Sequence, residues 1–156
     1  MPKVEVFTVV LVPGLWCDGE RGLGFLVSSL DASIDAKKAY DGLNEKKKGD
    51  LRNRFDYWLG GGKHDDYFHG WPSEPNYKKC FSFRWNDAKM RHRMYGFLYH
   101  PRPNTQPSYE VCILISHARK TTWETDPSYK VQANDLRTNT EVIKAVKKAF
   151  PEKETK

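Results

Sequence analysis

Cys80-Phe-Ser-Phe-Arg-Trp85, Arg91-His-Arg-Met-Tyr-Gly-Phe-Leu-Tyr99 and Tyr109-Glu-Val-Cys-Ile-Leu-Ile-Ser116 follow one another between Lys79 and Lys120, and their reading decides the fold. The first two runs are short, aromatic and alternating, which predicts strands with two unlike faces. The third is almost continuously apolar, as expected of a strand buried on both faces. Asn86-Asp-Ala-Lys89 suits a hairpin turn, so Arg84 becomes a cross-strand neighbour of Arg91 and Arg93. Alternation puts Arg91, Arg93, Tyr95, Phe97 and Tyr99 on one face, and the third run leads into His117-Ala-Arg-Lys120. Like charges held that close repel unless an anion or a carboxylate sits among them. Two readings of Arg84 and Arg93 therefore stand open: ion pairs with Asp87 or Glu110 at the sheet rim, or a site that holds an anion.

Working outward to the N-terminal side, Val4 to Val12 is rich in β-branched residues and stops at Pro13-Gly14, which predicts a first strand. Cys17 to Gly24 reads as a loop whose glycines sit in no compact βαβ unit, so a phosphate cradle is not expected there. Phe25, Leu26, Leu30 and Ile34 fall at helical spacing, as do Leu51, Phe55 and Leu59 beside Trp58, and together they predict a helical pair over 25–59 closed by Gly60-Gly-Gly62. Lys46-Lys-Lys48 reads as a solvated helix end in preference to a phosphate-contacting patch. The stretch 60–78 is irregular. Its His64, Asp65, Asp66 and His69 match no ligand spacing, and no metal or other cofactor is expected.

On the C-terminal side, Pro101 to Pro107 is a long Pro-rich loop. Asp126-Pro127 opens a helical segment carrying Tyr129, Ala133 and Leu136. Thr138-Asn-Thr-Glu141 has the form of a capping box, and Ile143, Val146 and Phe150 give one face of a last helix ended by Pro151. The expected architecture is one α+β domain over 1–156, with an antiparallel-rich sheet of about four strands, an N-terminal helical pair and a C-terminal helical segment over 126–150.

Length and composition agree with a single core: 156 residues, 38% hydrophobic and 13% aromatic. With 26 Lys+Arg against 20 Asp+Glu the net charge is +6, which favours a polyanionic partner such as RNA, DNA, a ribosome or an acidic protein. Cys17, Cys80 and Cys112 are odd in number and form no CxxC pair, so they read as thiols of a reducing compartment. The apolar run from Val4 to Trp16 is too short to span a bilayer and has no cleavage site after it. A cytoplasmic location, away from membranes, is expected.

In Phe81-Ser-Phe-Arg84, Arg93-Met-Tyr-Gly-Phe-Leu-Tyr99 and Cys112 to Lys120 with Thr125-Asp-Pro127 downstream, the chain resembles the RelE/HigB-like toxin superfamily, including phage-derived relatives of HigB type. The resemblance covers Cys80 to Leu136 at motif level and the remainder by the order of elements. Ser82 and Phe83 stand where that family usually has an acidic residue. The resemblance implies a RelE-like fold and a metal-independent endoribonuclease that cleaves mRNA, often on the ribosome, by attack of the ribose 2′-hydroxyl on the adjacent phosphate. It also implies a cognate antitoxin protein as partner. Such chemistry needs a base, a cation for the crowded phosphate and an acid for the leaving oxygen. By this resemblance Arg84 and Arg93 would hold the phosphate and Lys120 would supply the basic turn. From its own chemistry His117 is the candidate for proton transfer, against a structural role at a strand end. Arg91 and Arg119 would add substrate contacts, and Tyr95 or Tyr99 would stack on a base or pack within the sheet. The second functional class is a non-catalytic RNA- or protein-binding module on the same scaffold. The nuclease reading requires Arg84, Arg93 and the His117 to Lys120 exit to converge on one concave face.

Overall fold

A computed structural model describes residues 6–11, 21–60, 68–70, 79–87, 90–102, 109–120 and 127–150. Its elements are β1 (Phe7–Leu11), β2 (Arg21–Ser28), α1 (Ala36–Asp41), α2 (Glu45–Leu59), β3 (Phe68–Gly70), β4 (Cys80–Asp87), β5 (Met90–Arg102), β6 (Tyr109–Lys120), α3 (Pro127–Arg137) and α4 (Thr140–Ala149). The fold is α+β, with the strands in one sheet of order β1-β2-β6-β5-β4-β3. Every pairing is antiparallel except that of β2 with β6, so the sheet is antiparallel-rich as expected, but it is mixed and has six strands where the sequence predicts about four.

The difference begins at Arg21, where β2 starts within the expected loop from Cys17 to Gly24, and it continues from Phe25, where helical spacing predicts a helix. Leu23, Phe25 and Leu26 are all buried, the first two facing one hydrophobic cluster and Leu26 the other. A strand buried on both faces needs apolar residues at every position, and over so short a run that pattern also fits helical spacing. Gly24 lets β1 lie close, since a Cβ there would stand 2.8 Å from Val9 Cγ1. The expected helical pair thus shrinks to α1 and α2, which start only at Ala36 and Glu45.

The helices lie on both faces of the sheet. On one, α1 and α2 cover Leu23, Phe25, Phe81, Phe83, Trp85, Met94 and Leu114, with Phe55 set edge-on to Phe83 at 5.0 Å. Arg21 ties β2 to the end of α2: its guanidinium donates to the Trp58 carbonyl at 2.6 Å and lies 4.7 Å over the indole. A cation is favourable at a helix C-terminus, where carbonyls are left unpaired. On the other face, α3 and α4 cover Leu26, Cys80, Phe97, Val111, Ile113 and Ile115. Asn44 caps α2, and Asn139 caps α4 by accepting from the backbone N–H of Glu141 and Val142. The cap of α4 is therefore Asn139 and not the Thr138 of the expected capping box.

Between β5 and β6 the register slips by one residue. Gly96 faces Leu114 but Tyr95 faces Ser116, so Ile115 is an extra residue on β6. Gly96 is the residue that permits this bulge, because a Cβ there would run into the Ile113 carbonyl. Among the described residues no helix is long and apolar enough to cross a membrane. Cys80 and Cys112 are buried, the Cys80 thiol pushed up to about 11 by burial. Cys17, His64, Asp65, Asp66 and the loop from Pro103 to Pro107 lie outside the described residues, and of His69 only the backbone is described.

Candidate functional site

Side chains of directly paired residues in a sheet point to the same face, so the register fixes which candidates meet. Arg84 faces Arg93, and Arg93 faces Ala118. Arg93 shares the parity of Tyr95, which stacks on Tyr129 of α3 at 4.6 Å, so this is the α3/α4 face. Arg91 belongs to the same face, paired with Lys120, of which the backbone position alone is described. Four of the expected residues, Arg84, Arg91, Arg93 and Lys120, are thus brought to one face at one end of the sheet.

His117 and Arg119 are not among them. His117 faces Met94 and Arg119 faces His92, both on the α1/α2 face. The bulge at Ile115 sends them there. His117 stacks with His92 at 5.2 Å and with Trp85 at 5.5 Å, and His92 Nδ1 lies 2.9 Å from His117 Nε2. Such a contact requires one ring to donate N–H and the other to accept. Burial, then His92 and Arg119, lower the His117 pKa to about 4. At neutral pH the ring is therefore uncharged, with no imidazolium proton to give as a general acid and too weak a base to take one efficiently. The expectation that His117 shares a concave face with Arg84 and Arg93 fails on geometry.

The two rings expected to stack on a base are taken up by packing. Tyr95 is 1% exposed beneath Tyr129, and Tyr99 packs against the cluster under α3 and α4.

Among the described residues, like charges meet on the arginine face. Arg93 is 5% exposed, and its Nη1 donates to the His92 carbonyl at 2.9 Å. Burial, and after it Arg84, lower its pKa, while Arg91 adds to the same effect. Arg84 is half-buried, and its Nε is shielded from solvent without a hydrogen-bond partner among the described residues. No carboxylate among the described residues pairs with Arg84 or Arg93. Asp87 and Glu110 are described by backbone position only. Arg84 and Arg93 thus place like charges on directly paired positions of adjacent strands in a partly desolvated place.

Several residues of this end of the molecule carried no sequence signal. Asp35 stands at the N-terminus of α1 but gives its carboxylate to β6, accepting from the His117 backbone N–H at 2.9 Å. Two hollows flank that contact. One, of about 450 Å³, is lined by Ser33, Asp35, His117, Ser128, Tyr129 and Gln132. The other, of about 330 Å³, lies against α1 with Lys38 and Arg119 in its wall. Among the described residues no group of His, Cys, Asp and Glu is placed to hold a metal. No family model, no curated protein and no solved structure matches the chain.

Proposed function

We propose that this chain is a non-catalytic RNA-binding module that holds phosphate through Arg84, Arg91 and Arg93. The observation that carries this reading is the direct cross-strand pairing of Arg84 with Arg93, with no carboxylate partner for either among the described residues. Lys120 beside Arg91 and a net charge of +6 support the same reading. Fluorescence polarisation with a labelled single-stranded RNA should show binding that weakens steeply as salt rises, with no new RNA ends on prolonged incubation. Arg91→Ala and Arg84→Ala should each weaken binding by about 1 kcal/mol or more and lower the salt slope by about one. Salt-insensitive binding, or variants that bind as the parent does, would sink the proposal.

A second reading is an endoribonuclease toxin of RelE/HigB type with a protein antitoxin. It is supported by the order from β2 onward, namely strand, two helices, the short strand β3, the three long strands and two helices, which matches the family's order apart from β3. In that reading Arg84 and Arg93 stabilise the phosphate attacked by the 2′-hydroxyl, and proton transfer falls to a group other than His117. Growth arrest on expression, relieved by Arg84→Ala, together with cleaved mRNA would favour it over the binding module.

A further inference from the structure

We propose that the cleft at the carboxyl ends of β2 and β6 is a binding site for a guanine base, read by Asp35 along one edge and by Arg119 along the other. The two strands run parallel, and the helices that follow them lie on opposite faces: α1 follows β2 on one, and α3 follows β6 on the other. A gap opens where neighbouring parallel strands part in this way, and sheets with helices on both faces bind ligands there. Strand β2 pairs with β6 only as far as Phe25 and Leu114. Beyond the Ile115 bulge it is Asp35 that takes the next inward contact, accepting the His117 backbone N–H at 2.9 Å. The hollows of about 450 Å³ and about 330 Å³ share Asp35 and His117 in their walls. Each falls in the size range of small-molecule sites, roughly 300–1,000 Å³.

The larger hollow is braced and rich in acceptors. Gln132 of α3 donates from Nε2 to Ser33 Oγ at 2.7 Å, and Ser33 Oγ donates to Asp31 Oδ1 at 2.6 Å, which ties α3 to the connection between β2 and α1. That chain leaves Gln132 Oε1 as an acceptor, and Asp35 keeps Oδ2, since the His117 N–H goes to Oδ1. Neither oxygen has a hydrogen-bond partner among the described residues. An ionised carboxylate accepts only, so the group it meets must present N–H or O–H. The smaller hollow has the opposite character, with Lys38 and Arg119, both exposed, in the wall it shares with Asp35. A ligand that spans the two needs adjacent donors on one edge and adjacent acceptors on the next. Among the nucleobases guanine has that pattern: N1–H and the N2 amino group suit a carboxylate, and O6 with N7 suits an arginine fork. The rings of Tyr129 and His117 in the wall of the larger hollow offer flat surfaces to such a plate.

Isothermal titration with the four ribonucleosides tests the cleft. Guanosine should bind at least about tenfold more tightly than adenosine, cytidine or uridine, and inosine, which lacks the N2 amino group, should lose most of that advantage. Asp35→Asn keeps an oxygen for the His117 N–H but sets an amide in place of the carboxylate, and it should abolish the preference; Arg119→Ala should lower the affinity for guanosine about tenfold. Guanosine carries no phosphate, so its binding does not draw on Arg84, Arg91 and Arg93, and either reading can fail without the other. A uridine oligomer with a single guanosine, set against the plain oligomer, identifies the source of the base. Tighter binding assigns the cleft to guanine within RNA, whereas equal binding with guanosine affinity intact assigns it to a free guanine nucleoside or nucleotide. No binding of guanosine, equal affinity for all four nucleosides, or a preference that survives Asp35→Asn overturns the inference. Should Asp35→Asn not fold, the comparison of guanosine with inosine on the unaltered chain still decides.

Discussion

His117 illustrates how one imidazole can be removed from acid–base chemistry by its neighbours. Burial of the ring against Trp85 and His92, and then the charges of His92 and Arg119, disfavour the charged form, to a pKa of about 4 against an ordinary 6.5. Because the folded-state value is depressed, the unfolded chain takes up the proton first as the pH falls. The contribution to stability is fully present above about pH 6.5 and is lost as the pH falls through about 4. One proton sets a ceiling of about 1.4 kcal/mol per pH unit across that window, and the partial exposure of the ring to solvent reduces it. Urea melts between pH 7 and pH 4 should show the parent losing stability faster than His117→Phe. Parallel curves for the two would remove the buried-imidazole account.

At the scale of elements, two glycines in regular structure should respond oppositely to the same substitution. Gly96→Ala pushes a methyl group into the Ile113 carbonyl at the bulge and should destabilise by about 3 kcal/mol or more. Gly49 lies within α2, and a methyl group there would meet nothing within 4 Å, so Gly49→Ala should stabilise by about 0.5–1 kcal/mol. Chemical denaturation of both variants checks the pair; a neutral Gly96→Ala would mean that β6 can move aside. The sequence shows the one glycine amid helix-forming residues and the other amid strand residues, yet it does not show why Gly96 is needed. The same limit governs the site. The strands β4, β5 and β6 are legible from alternation and apolar runs, and so is the Arg84, Arg91 and Arg93 grouping, because local periodicity fixes which side chains share a strand face. The face of His117 is not legible, because it depends on the extra residue at Ile115, which leaves no mark in composition or spacing. Strand β2 escapes a sequence reading for a related reason: its pairing with β6 joins Arg21 to Glu110, a contact that no local pattern announces.

At the scale of the whole molecule, one sheet serves two hydrophobic layers, and neither layer has a second support. Phe55 lies at the centre of the α1/α2 layer, in contact with Phe25, Tyr40 and Phe83. Phe55→Ala should therefore cost about 3–5 kcal/mol and lower the midpoint for the entire chain. Because the strands are common to both layers, far-ultraviolet circular dichroism and the fluorescence of Trp58 and Trp85 should report one coincident transition in the parent and in the variant. Separate transitions would show that the layers melt independently. The bulge at Ile115 has a consequence at this scale too. Removing Ile115 would straighten β6 and leave His117 opposite Met94, whereas closing the bulge at constant length would carry His117 to the place opposite Arg93 that Ala118 now holds. A face that carries guanidiniums alone and one that sets an imidazole beside them thus differ by a slide of one residue along a shared strand edge.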